Sequence, residues 1–338
     1  MHKDIAHALI TPDRLDDAAR RWRATGTELQ FLRAMENFVY AFERDGQPLI
    51  LRFTHSTHRS ATEVAAELDF VDYLARQGVD VAHPVPSLDD RLIETLTTEE
   101  SQFHVAVFKR APGDKPKLDA TDPTLANLHE DWGAMIGKMH RAIPGYRNGQ
   151  PDPRRHNGIE DDITRNARRY LPAKAAHVAD LLDELLDEVK RFPRSIGQFG
   201  LLHTDCHHGN FHVVGRQLTL FDFDDCCHQW FAYDLAVPIW HYPVRERGQD
   251  MARDRAIVTD FFRRFLTGYS KYYNFDPSWI QQLPIFFRLR DIQLFVFSYK
   301  MQPNGGFEAG MQDFMRRRLA LIESRQPSVQ IDWNSLGL

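Results

Sequence analysis

Residues 201–210 read LLHTDCHHGN, and residues 221–225 read FDFDD, followed at once by CCH (226–228). The reading of these stretches decides the fold. Taken as metal chemistry, Cys206, His207, His208, Cys226, Cys227 and His228 are thiolate and imidazole donors that invite a zinc site. Structural zinc favours cysteine pairs spaced by roughly two to four residues, however, and the adjacent Cys226 and Cys227 point to opposite sides of an extended chain. Taken as oxygen chemistry, the same stretch offers Asp205, then Asn210, then Asp222 at the end of the apolar run QLTLF (217–221). FHVV (211–214) and QLTLF flank the turn Val214-Gly215-Arg216, which predicts a hairpin that Asn210 enters and Asp222 leaves. An antiparallel pair returns its end close to its beginning, so the two side chains are expected at one rim. Two oxygen donors for a hard divalent cation, beside a free carboxylate, suit phosphoryl transfer from a metal–nucleotide.

Upstream of the hairpin the chain is rich in strands. TELQFLRA, ENFVYAFE and PLILRF, within residues 27–53, are runs of β-branched and aromatic residues, and Asp45-Gly46 favours a hairpin turn between the last two. SATEVAAELDFVDYLARQ (60–77) sets Val64, Leu68, Val71 and Leu74 on one helical face, with Gly78 placed to end the helix. VDVAHPVPS (79–87) reads as an extended connector, and RLIETL (91–96) and FHVAVFKR (103–110) as two more strands. A helix over residues 11–25 precedes them all.

After the breaker APGDKP (111–116) the pattern changes. Asp122-Pro123 opens a helix whose buried stripe is Leu125, Leu128, Trp132, Ile136, Met139 and Ile143. A polar loop (144–160), a long helical stretch at about 163–192 and three short strands around the quoted motif follow. Everything after Trp230 reads as helical. The expected organisation is therefore a β-rich unit over residues 1–110 and a helical unit over 111–338 with a short hairpin insert.

Composition sets the outer limits. A chain of 338 residues is too long for one compact core. The formal net charge of −5 offers no global attraction for nucleic acid or an anionic membrane, so an anionic ligand must be met locally. The start, MHKDIAHALITPDRL, holds no apolar core of a signal peptide, and no apolar run is long enough to span a bilayer. Three cysteines, two of them adjacent, make no disulfide framework, and a cytoplasmic location is expected.

HTDCHHGN carries the His-x-Asp pattern with Asn five positions after the Asp, FDFDD stands where protein kinases have Asp-Phe-Gly, and FAYDLA (231–236) follows. On these residues the chain resembles the aminoglycoside phosphotransferase and choline kinase family, within the protein-kinase-like superfamily, near its homoserine kinase-like and stress-response kinase-like members. The resemblance runs from about residue 27 to 245 and is strongest over 199–236. It implies a bilobal α+β kinase-like fold and an ATP- and Mg2+-dependent phosphotransferase acting on a hydroxyl of a small molecule. An amino alcohol, a sugar or an aminoglycoside-like compound comes first as acceptor. A protein Ser/Thr kinase of the stress-response type and a silent nucleotide-binding pseudokinase are the alternatives.

The roles that the resemblance implies can be given position by position. Asp205 becomes the base or hydroxyl-orienting group, and Asn210 and Asp222 the metal ligands. His203 is a structural residue of the loop, and Asp234 a buried acid bracing it. Arg52 takes the place of the strand lysine that holds the nucleotide's phosphates, with Glu67 as its ion-pair partner. Phe108 and Arg110, in VFKR (107–110), belong to the hinge that reads the adenine edge through backbone groups. Two departures stand out: Arg52 is not lysine, and the turn RAMEN (33–37) contains none of the glycines of a phosphate-covering loop.

Plainer readings compete at several positions. Glu63 lies one turn before Glu67, so either could be a surface ion-pair residue. Asp224 and Asp225 read equally as solvated loop acids, and His140 as a helix-end packing residue. Cys206 and Cys226 are expected to be small, half-buried residues on the nucleotide side. Trp230, Phe231, Tyr233, Trp240 and Tyr242 could form a cage for an ammonium group, although their spacing favours core packing. FFRLRDIQLFVFSYK (286–300) is the stretch expected to line the acceptor.

Overall fold

The computed structural model describes residues 10–98, 101–119, 122, 124–242, 251–302 and 305–336. In chain order, α1 (Pro12–Arg20) leads into β1 (Gln30–Ala34), β2 (Asn37–Arg44), β3 (Gln47–His55) and α2 (Ala61–Arg76). β4 (Pro84–Val85), β5 (Glu94–Thr97) and β6 (Gln102–Lys109) come next. Then follow α3 (Leu125–Ala142), the single turns α4 (Asp162–Arg165) and α5 (Ala167–Tyr170), and α6 (Val178–Val189). Four short strands, β7 (Phe199–Leu202), β8 (Phe211–Val214), β9 (Gln217–Leu220) and β10 (Cys227–Trp230), precede α7 (Phe231–His241). The chain closes with α8 (Met251–Tyr269), α9 (Leu283–Met301) and α10 (Ala309–Glu323). It divides into two compact units, Met1–Asp114 with Phe211–Asp224, and Lys115–Asn210 with Asp225–Leu338.

The first unit is built on an antiparallel sheet of order β1-β2-β3-β6-β4, with β5 also paired to β6. Strand parity decides which side chains face which layer. Phe38, Tyr40 and Phe42 of β2 lie opposite Phe53, Leu51 and Leu49 of β3, and Leu51 and Phe53 lie opposite Val107 and Val105 of β6. These residues form one buried cluster with Trp22 and the alanines of α1. The alternate parity, which includes Arg52 and Ala106, belongs to the other face, where Ala106 packs with Val64 and Leu68 of α2. The Asp45-Gly46 turn is made as expected, with φ of +52° and +73° and Arg44 paired to Gln47.

Helix α2 begins with a reciprocal cap. The Ser60 N–H donates to the Glu63 carboxylate at 2.9 Å and the Ser60 hydroxyl accepts from the Glu63 N–H. Gly78, at φ +78°, follows its end as the sequence suggests. RLIETL is strand only from Glu94, and the Pro-marked connector contributes the short strand β4.

In the second unit the helix pair α3 and α8 approaches closely because three glycines remove side chains from the contact. A Cβ at Gly133 would lie 1.8 Å from the Phe265 carbonyl oxygen, one at Gly268 1.8 Å from that of Glu130, and one at Gly137 2.6 Å from that of Tyr269. The helical stretch expected at 163–192 is instead broken. The turns α4 and α5 are separated at Asn166, Leu171-Pro172 ends the second, and the continuous helix starts only at Val178. Helix α7 is buried all round, from Phe231 to Trp240, and is the core of the unit.

Candidate active site

In the first unit, parity places Arg52 on the α2 face, and α2 answers with Glu67, which is 1% exposed. The guanidinium donates both Nη atoms to the two carboxylate oxygens at 2.7 Å, a bidentate buried pair. Glu63 is committed to the helix cap, which settles the choice between the two glutamates. Burial alone would lower the Arg52 pKa, but Glu67, with Asp224 and Asp222 behind it, more than reverses this and keeps the group charged. Phe108 lies diagonally across from Arg52 on β6, and its ring centroid is 5.1 Å from the guanidinium carbon. Arg110 is exposed just past the end of that strand. The N–H groups of Lys109 and Arg110 donate to the carbonyls of His83 and Pro48 at 2.9 and 3.0 Å. Those two donors are thus engaged within the fold.

The β8-β9 hairpin, also in this unit, pairs Phe211 with Leu220 and Val214 with Gln217 around Gly215. Two residues past β9, Asp222 sits at φ +68°, in the left-handed region that costs a non-glycine residue roughly 1–3 kcal/mol. Its carboxylate accepts from Arg33 of β1 at 2.5 Å. Asp224 is buried rather than solvated. His58 reaches it at 2.6 Å and Arg59 at 3.8 Å, and these partners hold its carboxyl well below the usual range against the opposing effect of burial. Glu36, His58 and Asp224 form the one group of potential metal donors among the described residues. No cysteine belongs to it.

The second unit holds the loop after β7. His203 is buried, and its Nδ1 accepts the Asp205 N–H at 3.2 Å. Thr204 takes φ +66°, an expensive conformation for a β-branched residue. Asp234, fully buried on α7, accepts the Thr204 N–H at 2.8 Å, while the Thr204 hydroxyl donates to the Asp225 carbonyl at 2.8 Å. Asp234 thus braces the loop as anticipated, and His140 stands behind it at 3.4 Å, with its other nitrogen 2.8 Å from the Tyr269 hydroxyl. The Trp132 indole donates to the Cys206 carbonyl at 3.1 Å and fixes the far side of the loop.

This framework presents Asp205, whose side chain is 20% exposed. Asn210 donates its Nδ2 to both the Asp205 backbone carbonyl and its Oδ2 at 3.0 Å. His207 Nε2 lies 3.3 Å from Oδ2, and Arg290 of α9 donates to Oδ1. Burial would raise the Asp205 pKa, but Arg290, His207 and His241 outweigh it and hold the carboxyl ionised well below the usual carboxylate range. Because the Asn210 amide nitrogen is taken, its Oδ1 is the atom the side chain has to offer a cation. An amide oxygen is a donor of the kind a hard divalent ion takes.

Asp225 is exposed, and all three cysteines are buried and in no disulfide. Cys206 and Cys226 are fully buried rather than half-buried. Burial pushes the thiols of Cys206 and Cys227 up, the reverse of what zinc-bound thiolates need. The aromatic group is core. Trp230, Phe231, Tyr233, Trp240 and Tyr242 are all buried, and the polar ends of four of them are engaged by Pro193, Gln293, Asp291 and His129. Sequence reasoning singled out none of Arg33, His58, His241 and Arg290, although Arg290 lies within the stretch 286–300 expected to line the acceptor. For Arg290 a signal existed: Phe286, Arg290 and Gln293 repeat at helical spacing, so a charge interrupts a buried stripe.

A family described as Phosphotransferase enzyme family matches residues 28–282. The chain belongs to this family. It is 31% identical over 344 residues to amicoumacin kinase of Bacillus subtilis (strain 168), covering 99% of each protein. Homoserine kinase of Sinorhizobium medicae (strain WSM419) is 24% identical, with 70% of this chain matched to 68% of that one. The solved structure of amicoumacin kinase hAmiN, in complex with AMP-PNP, Ca2+ and Ami, superposes with a TM-score of 0.89 at 28% identity, over 99% of this chain and all of that one. The fold is therefore the kinase-like one, with a β-rich N-terminal region and a helical C-terminal region. The protein is an ATP-dependent small-molecule phosphotransferase with a hydroxyl group as acceptor. Among the described residues, no helix is long and apolar enough to cross a membrane.

Proposed function

We propose that the protein moves the γ-phosphoryl group of ATP, with Mg2+ as the divalent ion, to a hydroxyl of a small molecule of the amicoumacin type. The observation that carries this reading is the Asp205–Asn210 pair. One residue keeps an ionised carboxylate at the end of a braced loop, and its neighbour is turned by that carboxylate so that an amide oxygen is left for a cation. Asp205 accepts or orients the acceptor hydroxyl's proton. Asn210 and Asp222 are the ligands that would hold the ion, which when bound supplies neutralisation of phosphate charge. Arg52, fixed by Glu67, offers a permanently charged guanidinium to the phosphates, and the strand end that carries Phe108 and Arg110 meets the adenine edge through backbone groups. A cytoplasmic setting fits an ATP-consuming protein whose three cysteines form no disulfide.

The near-complete coverage of amicoumacin kinase is what favours its acceptor over homoserine. Incubation of the full chain with amicoumacin, ATP and Mg2+, followed by phosphorus NMR, is expected to give one new phosphomonoester signal matched by ADP. Phosphate found only as the free inorganic ion, or on a protein serine in place of the small molecule, would refute the assignment.

A further inference from the structure

The helix α9 brings a cation to the base, and nothing above gives it a task. Arg290 is 14% exposed, and its Nη2 donates both to Asp205 Oδ1 and to His241 Nε2, the latter at 2.9 Å. Guanidinium has donors only, so in this contact the His241 nitrogen is the acceptor. Nη1 lies 3.4 Å from the Tyr233 hydroxyl, which itself donates to Gln293 Oε1 at 2.8 Å. The Nε–H is buried and has no partner among the described residues. The same is true of Nδ1 of His208, three residues beyond Asp205. His207 and His241 stack with ring centroids 4.7 Å apart, next to Asp205 and Arg290 respectively.

A buried guanidinium nitrogen without a partner, on a side chain bound to the Asp205 carboxylate, is costly unless a ligand satisfies it. Nε can only donate, so the ligand atom facing it must carry a lone pair. A guanidinium bound to Oδ1 also repels a second cation brought to the same carboxylate, and the aromatic rings that could cage an ammonium group are buried.

We infer that Arg290 is a positioning residue for the acceptor, selecting alcohols whose reactive hydroxyl is flanked by a carbonyl, carboxylate or second hydroxyl over alcohols flanked by a quaternary ammonium. This rests on Asp205 being the acceptor-side base. Arg290 holds the unliganded carboxylate in place and donates its remaining N–H to the flanking oxygen. The orientation so imposed turns the reactive hydroxyl toward Asp205.

The test compares amicoumacin, glycerol, L-homoserine and choline as acceptors for the full chain, for Arg290→Met and for Arg290→Lys, with melting temperatures recorded for each. In the parent, choline is expected to fall at least 1,000-fold below the best oxygen-flanked alcohol in kcat/KM. Arg290→Met is expected to raise KM for that alcohol by about 100-fold with a smaller change in kcat, and to narrow the gap to choline. Arg290→Lys keeps charge without the fork and recovers less than a tenth of the loss. Choline turned over as well as the oxygen-flanked alcohols, or none of the latter turned over, overturns the inference. So does a folded Arg290→Lys or Arg290→Met whose kcat drops equally for every acceptor at unchanged KM, since that marks a support of Asp205 and nothing more. Failure of the underlying assignment reads differently, as parental transfer by Asp205→Asn.

Discussion

Removing the Glu67 carboxylate should expose the cost hidden in the Arg52–Glu67 pair. Both side chains are almost fully buried, at 5% and 1% exposure, and two 2.7 Å bonds join them. Glu67→Ala leaves a guanidinium that cannot deprotonate and cannot reach bulk water, the situation that costs about 3–5 kcal/mol when a buried pair is broken. Asp222 and Asp224 soften this from a distance, so the lower half of that range is expected. For a chain of this size that is a fall in melting temperature of about 5 °C, read by calorimetry. The double variant Arg52→Met, Glu67→Leu removes both charges and should recover most of the stability. It should not recover nucleotide affinity, because the guanidinium that meets the phosphates is gone. A Glu67→Ala protein that melts within 2 °C of the parent, or a double variant that still binds ATP at parental affinity, would refute the reasoning.

Asp222→Asn removes a carboxylate from the proposed ligand pair, and the stabilisation of the protein by ATP with Mg2+ in a thermal-shift assay should shrink by more than half while that by ATP alone stays. The pH dependence of stability has a definite sign. Burial lowers His129, packed against Tyr242 and Phe261, from 6.5 to about 4. Its neutral form therefore contributes fully above pH 6.5, and up to about 3 kcal/mol is lost as the pH falls toward 4. His140 and His228, also lowered by burial, act in the same direction. Melting temperatures between pH 7 and 4.5 should fall accordingly, and less steeply in His129→Gln. Gly133→Ala forces a methyl to within 1.8 Å of a carbonyl oxygen and should cost about 3 kcal/mol or more, whereas Ala at Gly310, with open space around it, should cost little.

The parts of this fold that were legible in the sequence are those where one local rule acts without competition. Period-2 alternation in ENFVYAFE and PLILRF and the Asp45-Gly46 turn each have one stable solution, and the structure adopts it. The stretch at 163–192 was harder to read because its composition is helical throughout, while Asn166 and Leu171-Pro172 break it by backbone geometry. The loop around Asp205 was legible through residue types at fixed spacing. What surrounds it was not, because Arg290 arrives from 85 residues downstream and Arg33 reaches Asp222 across 189 positions. Parity could assign Arg52 to a face, yet only the cap on Glu63 reveals why Glu67 is its partner. The cysteine-rich appearance of the motif misled in a simple way, since small apolar-behaving thiols fill space beneath the loop.

The central claim is that Asp205 serves the acceptor hydroxyl while other groups hold the nucleotide. Its most direct test measures Asp205→Asn twice, by phosphate transfer to the best acceptor and by calorimetric titration with ATP and Mg2+. Transfer should fall by roughly 100- to 10,000-fold, with nucleotide affinity within a factor of three of the parent. Transfer at the parental rate, or a loss of nucleotide binding as large as the loss of activity, would contradict it.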